Sequence, residues 1–238
     1  MKRFYKETAV DAGDGGYRVL LDGKPMRTPA KAVLVTPTRV LAEAIAIEWQ
    51  EVPDKAEINV SHLRLTRLAA TALDRVTVQR ERVIEDTAKY AGSDMLCYRA
   101  PAPSSLVERQ QETWQPLLDW AAERYGVRFV VAEGTTFVAQ PPEVLARLRE
   151  VVAAHGDLAL AALYNLTHIS GSLVIALAVA EGHLPADKAF AAAQLDELYQ
   201  IERWGEDPTS TLRHENIKHD IAAGARFLAL LENERLRG

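Results

Sequence analysis

Three groups of residues have types that could do chemistry. The first is Cys97, the single cysteine of the chain, in the stretch GSDMLCYRA (92–100) with Asp94, Tyr98 and Arg99 around it. A nucleophilic thiol needs a lowered pKa and a nearby base, and no histidine stands beside it in sequence. The apolar run Met95, Leu96, Cys97, Tyr98 predicts a buried strand, which makes Cys97 a small core residue. The second is His168 in HISGS, close to Ser170 and Ser172 but without the Gly-x-Ser-x-Gly turn of a serine hydrolase. A histidine bonded to a neighbouring backbone or hydroxyl group on a buried helix is the plainer reading. A small-molecule hydrolase using His168 or Cys97 is the enzyme alternative that these residues leave open.

The third group is HENIKH. His214 and His219 are five residues apart, hence about 140° apart around a helix, which does not suit chelation of one metal ion. His62, His155 and His183 are scattered. DGKP has the Gly-Lys of a phosphate loop but Pro25 where a metal-holding hydroxyl is needed, and GDGG lacks the strand-to-helix spacing of a dinucleotide fingerprint. No metal and no cofactor is expected.

What positions these residues is a chain of 238 residues with 26% charged and 48% hydrophobic content and a net charge of −5. That balance describes an ordinary globular protein, and without a basic patch it excludes a phosphate-tracking surface, so no nucleic-acid partner is expected. One cysteine rules out an internal disulfide and favours a reducing compartment. MKRFYKETAV has no apolar core of a secretion signal, so a cytoplasmic location is expected. The stretch 158–180 is uncharged and long enough to span a bilayer. Asn165, Thr167, His168, Ser170 and Ser172 at its centre argue instead for a buried central helix, and an integral membrane protein is not expected.

The first sixty residues read as strands. YRVLLDGKPMRTP and KAVLVTP alternate around Asp22-Gly23, a pair suited to a tight hairpin. Thr36-Pro37-Thr38 starts a helix through Leu41, Ala44, Ile45 and Trp49, with Glu48 inside the apolar stripe and so either snorkelling outward or partnered. EINV reads as one more strand, and Ser61 as the cap of a helix carrying Leu65, Leu68, Ala69, Ala72 and Val76. Further helices are expected at 78–91, 104–125 (kinked or divided by Pro116), 142–154, 158–180, 185–204 and 209–234. VRFVVAE and TTFVA read as a hairpin around Gly134. The expected class is α+β, with a small β-rich N-terminal domain, 1–60, packed on a larger, mainly α-helical C-terminal domain, 61–238.

The most informative pattern for binding is AFAAAQLDELYQIERWGED (189–207). At 100° per residue, Phe190, Ala191, Gln194, Leu195, Leu198 and Ile201 gather on a core face, while Asp196, Tyr199, Gln200 and Arg203 fall opposite, with Glu197 and Trp204 at the edge. Such a face suits protein recognition. The competing reading packs Tyr199 and Trp204 on the last helix and pairs Asp196 with a base there.

Taken in order, VLLDGKPMRTPAKAVLVTPTRVLAEAIAIEWQ, LTRLAATALDRV, SDMLCYRA, WQPLLDWAAERYGV, SGSLVIALAVAEG and LDELYQIERWGED resemble the ATP synthase assembly chaperone family that acts on the alpha subunit of the F-type catalytic sector (assembly factor two). The resemblance spans nearly the whole chain. It implies a chaperone rather than an enzyme, one that binds the unassembled alpha subunit, prevents its aggregation and hands it to the beta subunit; separately, a monomer is expected when it is free. The family is found in mitochondria and in some bacteria, and with no leader read in MKRFYKETAV a cytoplasmic bacterial member is expected, with mitochondrial-matrix relatives in eukaryotes. The family's Glu-Trp element falls on Glu48 and Trp49, which the position of Trp49 at the stripe edge before a proline turn makes a structural junction. The acidic element falls on Leu195, Asp196, Glu197, Tyr199 and Gln200. Together with Arg203 and Trp204, the polar residues of that element form the expected partner-binding face. The family often has glutamate where Asp196 stands, so a contact there reaches one methylene less far.

Overall fold

The computed structural model describes residues 2–205 and 208–232. It is α+β, strand-rich at the N-terminus and helical thereafter. The chain forms two compact units. One takes the chain as far as Arg80, then Asp157–Ala162 and the chain from Arg226; the other takes Glu81–Gly156 and Leu163–Ala225. Residues 61–80, assigned from sequence to the helical domain, fall in the same unit as the strands.

In the first unit, β1 (Thr8–Gly13) and β2 (Gly16–Leu21) form an antiparallel hairpin, and β3 (Lys24–Pro25) and β4 (Val35–Thr36) both pair with β2. Asp22 and Gly23 take φ values of 49° and 75°, the two positive angles of the tight turn that their types predict. Gly16 is dictated by packing, since a Cβ there would lie 2.2 Å from the Thr36 carbonyl oxygen. Helix α1 (Arg39–Gln50) starts at Thr38, whose Oγ1 accepts from Leu41 N. It buries Leu41, Ala42, Ala44 and Ile45 and packs on β1 and β2. EINV is not a strand. Glu57 makes one bridge to Lys2, and Val60–His62 form a 3-10 turn because the Asn59 side chain accepts from Ser61 N. Asn59 caps this turn, and Ser61 does not cap the helix that follows, whose N-cap position is Leu63. Helix α2 (Arg64–Thr71) then runs into a π turn at Ala72–Val76, with the expected stripe Leu65, Leu68, Ala69, Ala72 and Val76 buried.

Helix α3 (Arg80–Ala88) leads into the second unit. Cys97 lies in a 3-10 turn, Met95–Cys97, and not in a strand, which begins only with β5 (Tyr98–Arg99). Asp94 imposes the turn by accepting from Leu96 N. Helix α4 (Ser104–Tyr125) is continuous through Pro116. Proline and Glu112, whose carbonyl loses its donor, are both on the exposed side, where water replaces the bond. The expected hairpin around Gly134 is absent. Strand β6 (Ala132–Glu133) pairs parallel with β5, and the Gln140 amide both donates to Val130 O and accepts from Val130 N, closing the loop with a side chain.

After α5 (Pro142–Ala153), the stretch expected as one helix is two, α6 (Asp157–Ser170) and α7 (Leu173–Ala180). Gly171 ends α6 with a φ of 70°, and Ser172 Oγ accepts from Ile175 N to start α7. Every residue from Leu173 to Val179 is buried. Among the described residues, no helix is long and apolar enough to cross a membrane. The segment 185–204 is likewise divided, into α8 (Ala186–Ala193) and α9 (Leu195–Trp204). Helix α10 (Pro208–Glu232) follows, and the last two residues of its expected span, 233–234, lie outside the described residues, as do Glu206 and Asp207 of the WGED motif.

Candidate functional site

The helical wheel of 189–207 assumes one helix, and the break at Gln194 resets its phase. Gln194 has φ −109° and ψ 17°, so α8 and α9 carry separate faces. Ala191, expected in the core, is exposed, and Tyr199, expected on the outer face, is only 3% exposed. Within α9 alone, Leu195 and Tyr199 are four residues apart and form the inner row.

Tyr199 packs on α4. Its hydroxyl lies 2.6 Å from Ser105 Oγ, and the guanidinium groups of Arg109 and Arg203 stand 5.3 and 4.9 Å from its ring centroid. Arg203 Nη2 also donates to Ser105 Oγ at 3.1 Å, and Arg109 pairs with Glu202 at 2.7 Å. Asp196 is half-buried, and its Oδ1 accepts from Gln110 Nε2 at 2.7 Å. The carboxylate that meets the last helix is instead Glu197, which lies 2.7 Å from His214 Nε2 and 3.2 Å from Arg213. Gln200 and Arg203 are exposed, and Trp204 is 77% exposed. The structure thus brings Asp196, Tyr199 and Arg203 together on α4, ties Glu197 to α10 and leaves Gln200 and Trp204 in solvent. Both carboxylates sit in the first turn of α9, where the helix dipole favours negative charge.

Sequence reasoning missed Gln110, the residue that grips Asp196 from 86 positions away. Its signal was a glutamine one turn before Trp114 on the inner row of α4, a polar group in a position that requires a partner.

Glu48 has partners. Its Oε1 accepts from Leu65 N at 2.7 Å, and its Oε2 accepts from Thr66 N and Thr66 Oγ1, each at 2.9 Å. Thr66 Oγ1 in turn accepts from Trp49 Nε1 at 3.0 Å, and the Trp49 carbonyl accepts from Tyr5 Oη at 2.6 Å. Glu48 therefore caps α2 from α1, inside the first unit. Burial pushes its pKa up, opposed by the N–H donors and by Arg226.

The stretch around Cys97 is organised by a carboxylate that the sequence reading did not weigh. Asp94 is fully buried, and its Oδ2 accepts from Val174 N at 3.1 Å while Oδ1 holds Leu96 N. Burial pushes its pKa up to about 6 against the pull of its hydrogen bonds. Cys97 is fully buried too, and burial followed by the Asp94 charge pushes the thiol up to about 12. At that value it is not a nucleophile at neutral pH. His168 is exposed rather than buried, with Tyr90 Oη 2.9 Å from its Nδ1 and the Tyr164 ring stacked beside it. Ser170 is buried and donates to the Leu166 carbonyl. His214 and His219 share no site, the first being buried on Glu197 and the second exposed. Among the described residues, no three His, Cys, Asp or Glu side chains converge as metal ligands would.

An all-protein surface of this kind, with its polar groups engaged in helix packing and an indole left in water, suits binding to another protein. The profile of the ATP12 chaperone protein family matches residues 2–122. The mitochondrial protein atp12 of Schizosaccharomyces pombe is 25% identical over 244 residues, covering 98% of this chain and 84% of that protein. The crystal structure of Atp12 from Paracoccus denitrificans is 39% identical, with a TM-score of 0.89 over 97% of this chain and 98% of that one. A mutant of the P. denitrificans protein in which an aspartate is replaced by lysine matches at 38% identity and a TM-score of 0.89, over 97% of each chain. The molecule is of the chaperone class. The chain belongs to the ATP12 chaperone family, whose members serve the assembly of ATP synthase.

Proposed function

We propose that this chain binds the unassembled alpha subunit of the F-type ATP synthase catalytic sector, prevents its aggregation and hands it to the beta subunit. The observation that carries this reading is the outer side of α9 in a chain of this family, where Asp196, Gln200, Arg203 and a 77%-exposed Trp204 stand in one helix. An unassembled subunit exposes an apolar interface, and a transient binder shields it until the permanent partner competes for the same surface. An exposed tryptophan next to an arginine is a composition that anchors such contacts. Release then needs no nucleotide and no turnover. In this reading the chain is monomeric when free and acts in the bacterial cytoplasm.

The test is whether the purified chain suppresses aggregation of alpha subunit diluted from denaturant, and whether the tagged chain co-purifies with alpha from its own cells. Recovery of alpha should rise in cells lacking beta and fall when beta is restored. Equal recovery in both would replace transient chaperoning with constitutive association. No suppression and no recovery would remove the reading.

A further inference from the structure

Gln110 is only 1% exposed, yet each polar end of its side chain is used. Its Oε1 accepts from Ala100 N at 2.8 Å, and its Nε2 donates to Asp196 Oδ1 at 2.7 Å. A glutamine amide can turn either end toward a partner, but a backbone N–H can only donate. Ala100 therefore fixes Oε1 inward, which leaves Nε2 to face α9 and to require an acceptor at position 196. The backbone of Gln110 is held as well, since Arg99 Nη1 donates to its carbonyl at 2.7 Å. Arg99 is itself 8% exposed, lies over the Trp114 ring at 5.3 Å and has no carboxylate within ion-pair distance among the described residues. Asp196 uses Oδ1 on this buried amide, and its Oδ2 has no hydrogen-bond partner among the described residues.

We infer that Gln110 is the positioning residue of the client-binding face: it holds the Asp196 carboxylate with Oδ1 turned inward and presents Oδ2 to a hydrogen-bond donor on the alpha subunit. The inference rests on the proposed function, in which Asp196 meets the client. It assigns the client's contact as a hydrogen-bond donor, an N–H or O–H group. It requires an acceptor at position 196 on the inner side, since a lysine there would set donor against donor.

The amide orientation makes a prediction that packing alone does not. In Asp196→Asn the single side-chain oxygen must turn inward to Gln110, so the client meets an NH2 group. Adding Gln110→Glu reverses the pair. The carboxylate introduced on α4 keeps the bond to Ala100 N, accepts from the NH2 of the new amide on α9, and turns that amide's oxygen outward again. The experiment measures the concentration of chaperone that halves aggregation of F-type alpha subunit diluted from denaturant, together with thermal unfolding, for Asp196→Ala, Asp196→Asn, Gln110→Leu, Asp196→Ala with Gln110→Leu, and Asp196→Asn with Gln110→Glu. Loss of one interfacial hydrogen bond to a charged group should raise that concentration about tenfold or more. Asp196→Ala, Asp196→Asn and Gln110→Leu should each show this rise. The double change Asp196→Ala with Gln110→Leu should be no worse than its worse single change, and Asp196→Asn with Gln110→Glu should return toward the wild-type value.

Wild-type protection by Asp196→Ala would remove the proposed contact itself and the inference with it. Impaired Asp196→Ala beside a folded Gln110→Leu that protects normally would overturn the inference and leave the contact standing. If Gln110→Leu unfolds early, the reversed pair carries the test because it keeps both side-chain hydrogen bonds. A folded reversed pair that protects no better than Asp196→Asn alone overturns the inference.

Discussion

Glu48 on α1 and Asp196 on α9 do similar work with different completeness. Each is a helical carboxylate with an aromatic neighbour, Trp49 or Tyr199, and each reaches across to another helix of its own unit. Glu48 commits both oxygens to three donors, two of them backbone amides at the start of α2. Asp196 commits one oxygen to one side-chain amide. A carboxylate saturated by a helix N-terminus can serve only the fold, because any competing ligand would have to displace fixed N–H groups. A carboxylate half satisfied and half exposed can hold its place and still meet a partner. The aromatic neighbours do not mark this difference, for the buried one, Tyr199, sits beside the open carboxylate.

The largest expected loss of stability is therefore on the binding side of the contrast. Tyr199→Ala should cost about 3–5 kcal/mol, as deletions of buried rings do, read by denaturant unfolding. A loss below about 1 kcal/mol would mean that the ring is not part of the α4–α9 packing in solution. Glu48→Ala should follow at about 2–4 kcal/mol, because it strands two backbone donors at the start of α2.

Asp94 extends the contrast to a carboxylate that is both saturated and fully buried. Its pKa in the fold is about 6, against 3.8 when exposed, so the folded state holds its proton more tightly than the unfolded chain. Its contribution to stability is fully present below pH 3.8 and is lost as pH rises through about 6. The unfolding free energy of wild type should accordingly fall relative to Asp94→Asn across that window, by up to about 3 kcal/mol. A difference that does not change with pH would show that the hydrogen bonds offset the burial and leave the carboxyl unshifted.

Asp196→Lys should cost only about 1 kcal/mol of stability while sharply weakening protection of the alpha subunit. If it unfolds as readily as Glu48→Ala, the two carboxylates are alike and the contrast fails. The smallest change in stability belongs to Trp204→Ala, expected within about 0.5 kcal/mol of wild type because the indole is exposed. Its protection of the client should fall nonetheless, and unchanged protection would move the contact elsewhere on α9.

The parts legible in the sequence are those with local causes. Asp22-Gly23 specifies its turn, Thr38 its helix, and the stripe of α2 its burial. What escapes depends on single residues that override the apolar pattern around them. Asp94 turns the apolar run at Cys97 into a 3-10 turn, Gln140 replaces a hairpin with a side-chain clasp, and Gly171 and Gln194 each divide what periodicity reads as one helix. The last of these matters most for the site, because a break moves every later side chain to a new face. An unbroken helix places Tyr199 outward, where it does not lie, and Gln200, Arg203 and Trp204 outward, where they do. The grip of Gln110 on Asp196 has only the faint trace of a polar residue on an apolar row.

The first unit is closed by residues that arrive late. Thr77 Oγ1 and Arg80 both bond to Asp157, and Thr38 Oγ1, at the start of α1, donates to the Leu230 carbonyl 192 residues further on. At about 5–20 residues per second, a ribosome needs about 10–40 s to travel that distance. The hairpin and α1 thus emerge long before the stretch of chain that completes their unit exists. Until Leu230 has been made, the Thr38 hydroxyl lacks this acceptor, and the strands and α1 wait for residues translated much later.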